Sequence, residues 1–221
     1  MGSGSGFVDN GLQNYIDGLL PEIDGVLGQI QRRAYDEGLP IISPDVVSFL
    51  SALLVARRPA HVLEIGCGVG FSAGLFAELL ADDGTITTIE RYDYMVKRAK
   101  ANFAKLGITD KIHLIYEDAA LALPKLIDDN KRFDFIFMDC GKSRYLHFYP
   151  YCVNLLNTNG ILVVDDVLQN GTVAWNRTDI VKRQRTTHRN MNEFLTKAMS
   201  AQGFRSCILP IGDGLLLSVK E

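Results

Sequence analysis

Cysteine is scarce in this chain, and the four present, at positions 67, 140, 152 and 207, form no C-x-x-C pair. That spacing argues against a zinc knuckle and against a disulfide framework, leaving small buried residues as the plain reading. Positive charge is not in excess either. The formal net charge is −3, which excludes a general attraction to nucleic acid and requires any such binding to come from a local patch. No apolar run is long enough to cross a bilayer. The opening Met1-Gly-Ser-Gly-Ser-Gly6 lacks the apolar centre of a secretion signal, so residues 1–6 read as a flexible leader or tag and the protein is expected to be cytoplasmic. Without such a signal, the Asn-x-Thr triplets at Asn170 and Asn176 carry little weight as glycosylation sites. There is no internal repeat, low-complexity tract or second boundary. With 47% apolar residues, positions 7–221 can bury one core and read as one domain, with a helical cover over about 7–58.

What is present begins with Val62-Leu-Glu64-Ile-Gly66-Cys-Gly68-Val-Gly70-Phe-Ser72. An apolar run ends in closely spaced glycines and an amphipathic stretch follows at once, which reads as strand, tight turn and helix. Glycines let the backbone approach a ligand, and the free amides of a new helix suit electron-rich groups. Glu90 closes the next apolar run, where a carboxylate can accept both hydroxyls of a ribose, as in NAD or S-adenosylmethionine sites. Gly68-x-Gly70-x-x-Ala73 also fits a dinucleotide fingerprint, so a nicotinamide enzyme stands as an alternative at this point.

Beyond Ala60, apolar runs at 61–66, 85–90, 112–118, 133–139 and 160–166 alternate with helical patterns at about 71–81, 92–106, 119–129 and 143–156. Such alternation predicts a parallel, doubly wound α/β sheet. A last helix is expected over about 179–202. Gly212-Asp213-Gly214 then separates two apolar runs, which predicts a closing antiparallel hairpin. Before the sheet, Phe7 to Gly38 has a helical pattern, with Pro21 expected to begin a second helix. Ser43-Pro44-Asp45 has the chemistry of a further helix start running to about Arg57. Ile42 and Ser43 are placed near the ligand if that link crosses the strand tips.

Ligands of such sheets bind beyond the carboxyl ends of the strands. Three of those ends carry acidic groups: Glu117-Asp118-Ala119, then Met138-Asp139, then Val164-Asp165-Asp166. Asp118 has two readings, a contact to an adenine or a cap for the helix at Ala119. Strands four and five should be neighbours, so Asp139, Asp165 and Asp166 are expected to converge. Hard carboxylate donors so placed suit Mg2+ or Mn2+. Lys142, three residues past Asp139, would face the same cavity. Phe71, Tyr92, Tyr145 and Trp175 are candidate pocket aromatics, although such residues more often serve packing.

Glu64 and Glu90 with Gly66, Gly68 and Gly70 resemble the E-x-G-x-G loop of class I methyltransferases. The run Phe137-Met-Asp139-Cys-Gly-Lys142-Ser-Arg144-Tyr145, followed by Gly160-Ile-Leu-Val-Val-Asp165-Asp166, resembles the cation-dependent O-methyltransferases of the catechol and caffeoyl-coenzyme A type. The resemblance covers nearly all of residues 40–221. It implies a seven-stranded sheet of order 3-2-1-4-5-7-6 with strand 7 antiparallel, and S-adenosylmethionine held by Ile42, Glu64, Gly66, Gly68, Gly70, Ser72, Glu90, Asp118, Ala119 and Asp139. It further implies a cation on Asp139, Asp165 and Asp166, with Lys142 as general base, its pKa lowered by the metal. Two departures stand out: Asp166 replaces the family's customary asparagine, and Cys140-Gly141 replaces bulkier pairs. Family relatives commonly pair through helices that precede the sheet, so a homodimer is expected.

Within that family, Pro40-Ile-Ile, the segment from Asp166 through Gly171 to Val173, and Leu209-Pro-Ile-Gly-Asp-Gly-Leu215 are similar to the bacterial tRNA 5-hydroxyuridine methyltransferases. On this resemblance the acceptor is tRNA, giving 5-methoxyuridine, with a catechol-like or caffeoyl-CoA-like small phenol as the alternative and a noncatalytic cofactor-binding protein as a further one. Lys182, Arg183, Arg185 and Arg189 would form a stripe that neutralises phosphates or lies as a solvated helix face. Arg144 and Tyr145 would contact the acceptor.

Overall fold

The computed structural model describes residues 10–221. The leader expected over residues 1–6, and Phe7, lie outside the described residues. Seven strands form one sheet in the order β3-β2-β1-β4-β5-β7-β6, as expected. They are β1 (His61–Ile65), β2 (Thr85–Glu90), β3 (Ile112–Tyr116), β4 (Phe133–Met138), β5 (Leu156–Val164), β6 (Phe204–Leu209) and β7 (Leu215–Lys220). The first five run parallel, and β7 lies antiparallel to both β5 and β6. Among the described residues, three helices precede the sheet: α1 (Asn10–Asp17), α2 (Gly25–Asp36) and α3 (Pro44–Arg57). Between and after the strands come α4 (Phe71–Ala77), α5 (Asp93–Leu106), α6 (Ala119–Asp128), α7 (Tyr145–Leu155) and α8 (Arg185–Met199).

Central strands read as nearly unbroken apolar runs because both of their faces are covered. Successive side chains alternate between the faces. Leu63, Ile65, Ile136 and Met138 therefore pack in one cluster with residues of α6, α7 and α8. Val62, Phe135 and Phe137 face the other way, toward α2, α3 and α4. There Phe76 meets Phe135 and Phe137 edge-on, at 5.9 and 5.4 Å between ring centres. Each such pair contributes about 0.5–1.5 kcal/mol beyond simple burial, which fixes α4 and the loop before it on the sheet.

Several boundaries differ from the sequence reading. The second helix starts at Gly25, not Pro21, because Asp24 supplies the extended residue that precedes it and Gly28 N bonds back to Asp24 O at 3.2 Å. The basic segment is not one long helix: Lys182–Gln184 is a 3-10 turn, and α8 begins only at Arg185. The Arg185 side chain causes this, reaching back to Ile180 O at 2.9 Å and Thr178 O at 3.2 Å and pinning the incoming chain. Parallel strands also end a residue or two earlier than expected, at Ile65, Tyr116, Met138 and Val164. Asp118, Asp139, Asp165 and Asp166 thus sit in the loops just past the strand tips, all on one edge of the sheet. Among the described residues no helix is long and apolar enough to cross a membrane.

Candidate active site

At the tip of β1 the chain must pass between two neighbours. Gly66 has φ 101, and a Cβ there would lie 1.9 Å from the Asp139 carbonyl oxygen, so only glycine permits the loops after β1 and β4 to touch. Gly70 serves packing in the same way, since its Cβ would strike the Phe103 ring at 2.6 Å. Gly68 faces open space, and its amide donates to Glu90 Oε2 at 3.0 Å. The other Glu90 oxygen accepts from the amides of Arg91, at 2.7 Å, and Tyr92, at 2.9 Å. Beneath the loop, Glu64 is fully buried and accepts from the hydroxyls of Ser72 and Thr88, each at 2.5 Å. Burial pushes its pKa to about 7, against the pull of those two hydroxyls.

A cavity of about 620 Å³ opens over this edge of the sheet. Of the residues expected there, Ile42, Gly66, Gly68, Ser72, Glu90, Asp118, Ala119, Asp139, Arg144 and Asp166 line it. Glu64, Gly70, Lys142, Tyr145 and Asp165 are not on its wall. Lys182, Arg183, Arg185 and Arg189 are off the wall as well. Phe71 and Tyr92 line the cavity, whereas Trp175 lies exposed on the surface. Asp118 fulfils its reading as a helix cap and also lines the cavity. Its Oδ1 accepts from Ala120 N at 2.9 Å, capping α6, while Oδ2 pairs with Arg91 at 3.0 Å across the cavity rim. The Ala120 amide, aided by Arg91, holds its pKa below the usual range against the effect of burial. Arg91 was not singled out from the sequence, because an arginine after a strand end reads as a surface residue.

The carboxylates past β4 and β5 are arranged differently from the expectation. Asp165 is buried and accepts from the Asp166 amide at 2.7 Å. Asp166, at φ 59, turns instead to Lys142 Nζ at 3.2 Å. Hence, among the described residues, no group of three or more His, Cys, Asp or Glu side chains is drawn together closely enough to hold a metal ion. The three aspartates still act on one another. Withdrawal from water, then the charge of Asp166, raises the pKa of Asp139 to about 7. Burial, then Asp139 and Asp166, raises that of Asp165 well above the carboxylate range.

Lys142 also bonds Asp213 Oδ2 at 2.9 Å, and Asp213 Oδ1 takes the Asn170 amide. Burial works against the Lys142 charge, yet Asp213 and Asp166 more than offset it, so its pKa is raised. Asp213 belongs to the hairpin tip between β6 and β7 and was read from sequence only as a turn residue. Tyr145 corrects another expectation: it is wholly buried, packed edge-on against Phe194 at 5.9 Å, and cannot touch an acceptor in the cavity.

The O-methyltransferase family profile matches residues 23–221. The chain belongs to the O-methyltransferase family. Caffeoyl-CoA O-methyltransferase 1 of Eucalyptus globulus is 32% identical to it over 178 residues, 79% of this chain and 72% of the relative. Caffeoyl-CoA O-methyltransferase 3 of Nicotiana tabacum is 32% identical over 181 residues, 79% of this chain and 74% of the relative. Solved structures with this fold include the O-methyltransferase from Bacillus cereus in complex with SAH, with TM-score 0.84, 20% identity, and coverage of 96% of this chain and 97% of that one. Another is TomG from Streptomyces achromogenes, involved in tomaymycin synthesis and solved with SAM, with TM-score 0.82, 22% identity and coverage of 96% of each chain. The resemblance of this methyltransferase to the S-adenosylmethionine-dependent, cation-dependent O-methyltransferases is thus borne out in family and fold.

Proposed function

We propose that this methyltransferase moves the methyl group of S-adenosylmethionine to an acidic hydroxyl of a small phenolic molecule, of the catechol or caffeoyl-CoA kind. The observation that carries the reading is one continuous cavity, walled at one end by the glycine loop and Glu90 and at the other by Asp139, Asp166, Arg144 and Phe148. Curated relatives named for caffeoyl-CoA support a small phenolic acceptor.

The residues at the first end fit the cofactor. Gly68 leaves the backbone open to a ligand, and Glu90, anchored by three amides, presents a carboxylate to ribose hydroxyls. Asp118, Ala119 and Ile42 line the same cavity, where they would meet the adenine. Glu64 and Gly70 act without lining it: the first holds Ser72, the second seats the loop on α5. The cofactor supplies an electrophilic methyl on a sulfonium.

The donors at the other end are three carboxylates, the type that suits a hard divalent cation, although as they stand their side chains are not drawn together closely enough to hold one. Burial and neighbouring aspartate charge raise the pKa of Asp139 and of Asp165, and Lys142 pairs with Asp166. Bound by these aspartates, Mg2+ or Mn2+ would stabilise the acceptor oxyanion as a Lewis acid. While Asp213 and Asp166 both hold it, Lys142 is a protonated partner for that oxyanion. Its service as a base requires that this pair be loosened. Arg144, exposed on the cavity wall, suits an anionic part of the acceptor.

A second reading, tRNA carrying 5-hydroxyuridine, rests on one observation. Lys182, Arg183 and Arg189 are exposed and take part in none of the ion pairs formed among the described residues. Such free charges suit phosphates. We also infer a homodimer, because Tyr15 and Leu19, at and beyond α1, and Val55 on α3 expose 65%, 66% and 59% of their surface. Light scattering on purified protein tests that inference, with a monomer at micromolar concentration counting against it.

For the main reading, the protein is incubated with S-adenosylmethionine and Mg2+ or Mn2+ and offered catechol, caffeoyl-CoA or tRNA bearing 5-hydroxyuridine. Mass spectrometry of the products is expected to show a methylated phenol, dependent on added cation. Methylation of tRNA with both phenols unchanged would transfer the conclusion to the second reading, and no product from any acceptor would overturn both.

A further inference from the structure

Arg91 follows the tip of β2 and lines the cavity, joining the two acids of the cofactor end. Its amide donates to Glu90 Oε1 at 2.7 Å, and its Nη1 donates to Asp118 Oδ2 at 3.0 Å. A third hold comes from Tyr92: Nη2 donates to its hydroxyl at 2.6 Å, and the guanidinium carbon stands 4.8 Å from its ring centre. Asp118 thus has no side-chain oxygen without a donor, because Oδ1 already accepts from Ala120 N at 2.9 Å and caps α6. Arg98 and Tyr94 make the same kind of pair further along α5, at 5.2 Å, with Arg98 tied to Glu37. Neither of those two lines the cavity.

An adenine seated against Asp118 and Ala119 would offer its 6-amino group to a carboxylate that Arg91 already holds. Two effects decide between these donors. The Arg91 and Asp118 side chains are 48% and 32% exposed, so the net strength of their pair is small. The amino group, however, is neutral and meets the same carboxylate in the same surroundings, where a charged donor bonds about twice as strongly. A guanidinium also pinned by Tyr92 loses little freedom in keeping its place. A second donor on Oδ2 would set an amino N–H against the guanidinium N–H groups. We propose that Arg91 sets the base selectivity of the cofactor end: it retains Asp118, the base meets guanidinium donors in place of a carboxylate acceptor, and nucleosides of 6-oxopurines are taken about as well as those of adenine. This inference rests on the cofactor reading above. Arginine has donors and no acceptor, which suits the 6-oxo oxygen and the N7 that both purines carry.

The test is calorimetric titration of S-adenosylhomocysteine and of its deaminated counterpart, S-inosylhomocysteine, into the unaltered protein, Arg91→Met and Arg98→Met. The unaltered protein is expected to bind the two ligands within about threefold of one another, whereas Arg91→Met, with Asp118 released to accept from the amino group, is expected to prefer the adenine compound by at least about tenfold. Arg98→Met should keep the ratio of the unaltered protein within about twofold. Each ratio is taken within one protein, so a general loss of affinity or stability in a variant cancels. A preference of about tenfold for the adenine compound in the unaltered protein overturns the inference alone, since the base then reads Asp118 directly. So does a ratio in Arg91→Met equal to that of the unaltered protein, or an equal rise in Arg98→Met. Absence of saturable S-adenosylhomocysteine binding to the unaltered protein overturns the cofactor reading and this inference with it.

Discussion

The two ends of the cavity are built on opposite principles. At the cofactor end, every buried acid already has its donors: Glu64 holds two hydroxyls, and Glu90 holds three backbone amides. At the other end, burial and neighbouring aspartate charge raise the pKa of Asp139 and Asp165, one lysine is shared between two carboxylates, and the buried hydroxyl of Tyr145 has no partner. A completed network is rigid and pre-shaped, while a partly satisfied one retains free energy that a bound charge can release. The difference teaches where selectivity for each ligand resides. On the function proposed above, the first end would select by shape and the second by charge.

That contrast can be broken or sharpened by substitution. Asp139→Ala removes the acid common to both ends, and methyl transfer should fall by about 10³-fold with cofactor affinity changed far less. Initial rates set beside calorimetric titration of S-adenosylmethionine decide it, and retained turnover would remove the aspartate cluster from the mechanism. Gly66→Ala strikes the shaped end, forcing a Cβ into the Asp139 carbonyl. A loss of about 3–4 kcal/mol is expected in denaturant unfolding, since both the φ angle and the contact forbid it.

Glu64→Gln examines the buried acid of the same end through pH. Its folded pKa of about 7 lies above the ordinary 4.5, so the stability linked to its protonation is fully present below about pH 4.5 and is lost as pH rises through 7. The unaltered protein should therefore lose about 3 kcal/mol over that window that Glu64→Gln does not lose. Parallel stability curves for the two proteins would show that Glu64 is charged throughout. Asp213→Asn is gentler: it loosens Lys142 at the charged end, and kcat should change about tenfold with the KM for the cofactor constant. Smallest of all, Lys182→Ala with Arg183→Ala should leave turnover of a small phenol within about twofold, because neither residue reaches the cavity wall. A large loss on a phenol would show that the turn folds over the acceptor.

Much of the sheet could be read in advance because alternation of apolar runs and helical patterns is a local signal, and Gly212-Asp-Gly214 marks its turn within three residues. The strand-end acids were legible for the same reason. What escaped was set by distant partners. Lys142 and Asp213 lie 71 residues apart, and nothing near either one announces the bond. Tyr145 follows Arg144 directly, yet one points to the core and the other to the cavity, a choice made by Phe194 and not by neighbours in sequence. The basic segment was misread as helix because propensity and charge cannot foresee that Arg185 would turn back on Ile180 and Thr178.

The hairpin tip at 212–214 has a meaning in time as well as in space. Gly212 N bonds Asp45, 167 positions earlier, Asp213 holds Lys142, and the backbone oxygens of Asp213 and Gly214 receive the amides of Leu168 and Val167. During synthesis at roughly 5–20 residues per second, the glycine loop emerges and can settle many seconds before this tip exists, and Lys142 waits roughly 4–14 s for Asp213. A nascent chain thus completes its glycine loop well ahead of the ion pair that holds Lys142.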